Sequence, residues 1–143
     1  MTKNDEIIIR SACDRDAERM ACLCEQLGYD VTRSQIQKRF DKLQSSEHHA
    51  VYVATLKTDE VIGWIHVHQC DLIIALIIMP PQAIVLGLVV DKSCRRCGIG
   101  KQLMEYIEKW ARQKNCDAVL LRSNILRKKA HIFYQKIGYV NIK

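Results

Sequence analysis

The chain has 143 residues, 48% hydrophobic and 27% charged, which is the size and balance of one globular domain spanning 1–143. Its longest apolar run, residues 72–79, falls well short of the about 20 residues a spanning helix needs, and no basic-plus-apolar leader opens the sequence, so a soluble cytoplasmic protein without a membrane partner is expected. Seven unevenly spaced cysteines argue for reduced thiols over a disulfide framework, and a net charge of +6 suits an acidic ligand.

In chain order, residues 7–10 read as a short strand. Asp14 can cap a helix whose apolar stripe is Ala17, Met20, Ala21, Cys24 and Leu27, and Gly28 ends it. Thr32-x-x-Gln35 is a capping box for a second helix, with Ile36, Phe40 and Leu43 inward. Residues 50–55 and 61–69 alternate as a strand pair joined by the polar turn 57–60. Trp64, His66 and His68 share one face of the second strand, since alternate residues point the same way. Pro80-Pro81 breaks the chain before a strand at 83–90. After a basic turn come a helix at 99–114, a strand at 118–122, a helix at 127–137 ended by Gly138, and the start of a last strand at Tyr139. The order βααβββαβα(β) predicts an α/β fold, a central mixed sheet flanked by helices.

The turn between the strand at 83–90 and the next helix is the most informative segment: Cys94-Arg95-Arg96-Cys97-Gly98-Ile99-Gly100-Lys101. The first amides of a helix have no intrahelical partner and the dipole is positive there. Gly98 and Gly100 lack Cβ, so an anion can approach the backbone, and Arg95, Arg96 and Lys101 add positive charge. A phosphate-bearing ligand held mainly by main chain follows. A Walker A loop fails, because Arg95 stands where its first Gly belongs and Gln102 where its Ser or Thr belongs. A Rossmann fingerprint fails at Leu103, where a third Gly is needed.

Arg95-x-x-Gly98-x-Gly100 resembles the pyrophosphate loop of the GNAT superfamily of N-acetyltransferases, which bind acetyl-CoA. Residues 123–139 are similar to that family's last motif: Arg127-x-x-Ala130-His131-x-Phe133-Tyr134-x-x-x-Gly138-Tyr139. The two motifs stand in the family's order, and the resemblance covers nearly the whole chain. It implies acetyl transfer from acetyl-CoA to a primary amine of a small molecule or protein, directly within a ternary complex. It implies that the backbone of Leu88, Val89 and Val90 bonds the pantetheine arm. Arg95, Arg96, Cys97, Gly98, Ile99, Gly100 and Lys101 would hold the pyrophosphate. Tyr134 matches a tyrosine that protonates the leaving thiolate, and a phenol with pKa near 10 can do so; on the stripe Ala130, Phe133, Tyr134 and Ile137 it also reads as a buried helix tyrosine. Arg127 stands where many members carry Asn, and could meet a phosphate instead.

The general base stays open. Many relatives carry Glu at the position of Ile84, which takes no proton. His66 and His68 could relay a proton at neutral pH, or could be ordinary sheet histidines. The side chains of residues 88–90 are equally read as core. The departure at Ile84 keeps an alternative alive: a non-catalytic acyl-CoA-binding or regulatory module of the same fold. Nucleic acid is not an expected partner, because the basic residues are scattered and Arg127-Lys128-Lys129 has no interleaved aromatics. No metal is expected either, since Cys94-x-x-Cys97 has no second ligand pair at finger spacing. The family usually adds a strand after its Gly-Tyr, so the edge beyond Tyr139 is expected to be short, missing or supplied by a partner. The apolar segment 71–82 is expected to line the acceptor site or a homodimer contact.

Overall fold

The computed structural model describes residues 6–70, 81–94, 98–121 and Gly138. Its elements run β1 (Ile8–Ser11), α1 (Ala17–Glu25), α2 (Arg33–Leu43), β2 (His49–Thr55), β3 (Val61–Cys70), β4 (Gln82–Val90), α3 (Ile99–Gln113) and β5 (Ala118–Leu121). The strands form one sheet in the order β1-β2-β3-β4-β5. All neighbours are antiparallel except β4 and β5, which are parallel and joined through α3. The expected mixed α/β sheet, with its helices and their order, is therefore present through β5. The expected helix at 127–137 and the strand start at Tyr139 lie outside the described residues.

Strand alternation divides the core into two layers. Ile65, Val67, Ala83 and Val85 face α3, whose Ile99, Leu103, Met104 and Ile107 are buried against them. α3 comes so close to β3 at Gly63 that a Cβ there would lie 3.1 Å from the Val89 carbonyl oxygen and 3.3 Å from Ile99 and Leu103. Val53, Trp64 and Val89 face the other way, against Met20 and Leu23 of α1. Each buried aliphatic side chain is worth about 1.5–3 kcal/mol of transfer free energy, so these layers set which way every strand faces.

The stripe read for α1 is buried at Ala17, Met20, Ala21 and Cys24, and Leu23 joins it with no exposure. The start of that helix differs from the sequence expectation. A 3-10 turn at Asp14–Asp16 precedes α1, and the carboxylate of Asp16, not Asp14, accepts from the Cys13 backbone N–H at 2.8 Å. Asp14 instead accepts from Gln37 and Gln44 of the α2 region at 3.0 and 3.2 Å. The capping box at α2 is formed: Gln35 N–H donates to Thr32 Oγ1, and Thr32 N–H donates to Gln35 Oε1. Ile36, Phe40 and Leu43 are only half-buried, so α2 packs more loosely than its pattern suggests.

Candidate active site

β4 positions the site. β5 pairs with it only over Gln82–Val85. In β3 the pairing passes from His66 opposite Gly87 to Val67 opposite Val85, leaving Leu86 as an extra residue in β4. This bulge bends the strand, as an unpaired residue in a ladder does. Leu86 is 54% exposed. Leu121, paired with Val85, is the last described residue of β5, so the described pairing of the two parallel strands ends there. Leu88 and Val90 turn their side chains toward the α3 layer, and Val89 is buried against the α1 layer. Their side chains serve as core.

β4 leads directly to the helix terminus. Asp91 fixes the way. Its carboxylate accepts from Ser93 N–H and Ser93 Oγ, both at 3.0 Å, and pairs with Arg19 of α1. Gln26 braces the same corner, donating to Asp91 at 3.4 Å and accepting from Lys92 N–H at 2.8 Å. Burial alone would raise the pKa of Asp91, but the bonds from Ser93 and Gln26 and the charge of Arg19 outweigh it and hold the carboxyl below its usual value. Sequence reasoning missed this clamp of Arg19, Gln26 and Asp91, because it joins residues far apart in the chain.

Gly98 is the N-cap of α3 at φ +80, a left-handed conformation costly to any residue with a Cβ. Ile99 and Gly100 are buried and Lys101 is exposed. The first intrahelical bond runs from Gln102 N–H to Gly98 O at 3.0 Å, so the amides of Ile99, Gly100 and Lys101 precede the ladder. The first turn carries no acidic residue, leaving the positive end of the dipole uncompensated. These amides fit an anionic group. Arg95, Arg96, Cys97, Arg127 and Tyr134 lie outside the described residues.

On the α1 face of the sheet, Trp64, His66 and His68 share one side, as the alternation required. His66 stands directly opposite Gly87, beside the bulge at Leu86. The Trp64 ring lies under Gly87, 3.4 Å from where a Cβ would be, and its buried indole N–H has no hydrogen-bond partner among the described residues. The structure adds His49, which the sequence reading did not single out. His49 Nδ1 and His66 Nε2 are 2.9 Å apart, and His68 stacks on His49 with ring centroids at 4.4 Å. Desolvation, then the nearby His49 and His68, push His66 down to about 4; burial likewise lowers His49. His66 is therefore neutral at pH 7. Ile84, across from His68, offers no carboxylate on this face. Among the described residues, no three His, Cys, Asp or Glu are arranged to hold a metal ion, and no helix is long and apolar enough to cross a membrane.

Comparison with known proteins agrees with this architecture. The profile of the Acetyltransferase (GNAT) family matches residues 16–139. Over 56 residues the chain is 41% identical to an uncharacterized N-acetyltransferase of Bacillus subtilis, a match covering 38% of this chain and 39% of that protein. Aminoalkylphosphonate N-acetyltransferase of Salmonella typhimurium is 29% identical over 143 aligned positions, covering 92% of this chain and 83% of that one. An aminoglycoside N-acetyltransferase solved in complex with CoA superposes with a TM-score of 0.83 at 18% identity, covering 100% of this chain and 93% of that one. With a family-model match over most of its length, and a mixed sheet that leads into a glycine-capped helix, the chain belongs to the GNAT family of acetyltransferases.

Proposed function

We propose that this protein is an N-acetyltransferase that passes the acetyl group of acetyl-CoA directly to a primary amine. The observation that carries the reading is the continuity of two binding elements. β4 runs, through the Asp91 clamp, into a helix N-terminus with three unladdered amides and no acidic side chain. Family membership and the CoA-bound structural neighbour support the choice of ligand.

In this reading Leu88, Val89 and Val90 bind the arm through their amides and carbonyls. Arg95, Arg96, Cys97, Gly98, Ile99, Gly100 and Lys101 hold the pyrophosphate, and Arg127 meets a further phosphate. Acetyl-CoA supplies an activated acyl group whose C–S bond breaks as the C–N bond forms, the electron pair leaving with sulfur. His66, neutral at pH 7, takes the proton that the attacking nitrogen must lose. Tyr134 gives the sulfur its proton. Tyr134→Phe is expected to lower kcat while leaving acetyl-CoA affinity within a few-fold, because the hydroxyl is needed only as thiolate forms. An unchanged kcat would make Tyr134 a packing residue.

The acceptor is proposed to be a small-molecule or protein amine that enters from the α1 face. The relative from Salmonella typhimurium makes aminoalkylphosphonates a natural first class to assay. A panel of primary amines tested by thiol release with acetyl-CoA decides the activity. Amine-dependent release is expected. Tight acetyl-CoA binding with no release for any amine would favour a non-catalytic acyl-CoA-binding module. The apolar segment 71–82, whose residues 71–80 lie outside the described ones, is proposed to form a homodimer contact. Sedimentation should then show a dimer that Ile74→Lys with Ile77→Lys dissociates; a monomer unchanged by both substitutions would dismiss it.

A further inference from the structure

Trp64 carries a buried polar group that the fold leaves unused. Its indole N–H can only donate, and it has no hydrogen-bond partner among the described residues. A donor buried in this way has given up water without a replacement, which native structures rarely tolerate outside functional sites. The ring packs with Met20, Leu23, Val53 and Val89, and Ile36 of α2 joins the same cluster. α2 therefore passes close to the ring. Gln37 and Gln44 both donate to Asp14 at the foot of α1, so they mark the flank of α2 turned toward α1. At about 100° per residue, Arg39 and Lys42 fall on the opposite flank, with Ile36 between the two. Both are exposed, and neither forms an ion pair among the described residues. The carboxylate of α2, Asp41, is on the α1 side, accepting from Gln37 at 2.8 Å. Across the strands, Trp64 stands between Val53 and Val89, which carry no charge. The groups gathered around the indole N–H are thus donors and cations, with no carboxylate among them.

We infer that the Trp64 indole N–H and the Arg39 guanidinium form an anion subsite for the acceptor, so that the preferred substrates are short primary amines bearing a phosphonate, phosphate or carboxylate. The inference rests on the proposed acetyl transfer and narrows its acceptor. An oxyanion there accepts a neutral bond from the indole and a charge-assisted one from Arg39. A neutral alkylamine leaves the indole N–H unpaired, and a site built around a buried donor rejects the analogue that cannot bond it. Trp64 and His66 are alternate residues of β3, about 6–7 Å apart along one face. An acceptor held by its anionic end at Trp64 needs only a few bonds to bring its amine level with His66. Arg39 acts on the acceptor alone, which separates its effect from that of the cofactor-binding turn at the start of α3.

The test is proton–nitrogen NMR of the indole signals of the full 15N-labelled chain, saturated with CoA so that the phosphate-binding turn is filled. The chain has two tryptophans, and Trp110→Phe assigns the Trp64 signal. Methylphosphonate is titrated as the anion and dimethyl sulfone as its neutral counterpart. The expected result is a saturable shift of the Trp64 signal with methylphosphonate and none with dimethyl sulfone. Arg39→Gln should weaken that binding about tenfold or more. Arg33→Gln, a charge change of the same size elsewhere on α2, should leave it within twofold. A Trp64 signal unmoved by methylphosphonate overturns the inference. So does an equal shift with dimethyl sulfone, or an Arg39→Gln protein that binds like Arg33→Gln. The readout needs no turnover: a saturable shift without amine-dependent thiol release would refute the acetyl transfer alone, and release without the shift would refute the anion subsite alone.

Discussion

His66 has an energetic signature separate from catalysis. Its folded pKa is about 4, against about 6.5 in an unfolded chain. Between those values the unfolded chain binds a proton that the folded protein refuses. Stability is therefore full above about 6.5 and falls as pH drops toward about 4. The loss should be about 1–3 kcal/mol, allowing for partial solvent access. Urea unfolding at several pH values should show this slope, and His66→Phe should flatten most of it. A slope identical in the variant would mean that His66 is not desolvated. Asp16 acts in a different window. Burial pushes its pKa up, but Arg10 and the Cys13 backbone outweigh burial and hold it low. Its stabilisation is present above the ordinary carboxylate value near 4 and is lost below it. What could be read at this scale was the face of each histidine. That Trp64, His66 and His68 share a side follows from the period of two. That His49 reaches His66 does not, because a diagonal contact depends on the register between β2 and β3, which alternation leaves unset.

Among the elements, β4 and α3 were the most legible. An apolar run, a turn with Gly98 and an amphipathic stripe through Ile99, Leu103, Ile107 and Trp110 leave little choice of structure, and all four stripe residues are buried. A wedge between β4 and β5 is implied only by the family resemblance, since strand separation has no local sequence code. The start of α1 was misassigned to Asp14 because a 3-10 turn intervenes, and two aspartates two residues apart are equally good caps by composition. The Asp91 clamp was invisible for a similar reason: Arg19, Gln26 and Asp91 are ordinary charged or polar residues until the fold brings them together. The clamp gives a prediction for this scale. Asp91→Asn removes the charge that Arg19 meets in a partly buried corner and should cost roughly 1–3 kcal/mol. That corresponds to a fall in Tm of several degrees for a domain of this size, at about 2–4 °C per kcal/mol. Scanning calorimetry showing an unchanged Tm would reduce the clamp to a surface contact.

For the whole molecule, the layers, the order of the described strands and the family are established, and the central claim concerns what the end of β4 and the α3 terminus hold together. β4 supplies an extended backbone beyond Val85, and Gly98 starts α3 a short turn after it. The proposed ligand is anionic at one end and amide-bearing along its length. Gly100, buried in the first turn of α3, is where the claim is most exposed to test. Isothermal titration calorimetry of acetyl-CoA with the unaltered protein and with Gly100→Asp, both confirmed as folded by circular dichroism, measures it directly. The account predicts binding to the unaltered protein and a loss of at least about tenfold in the variant, a difference of about 1.4 kcal/mol. Equal affinity in a folded Gly100→Asp protein would contradict it.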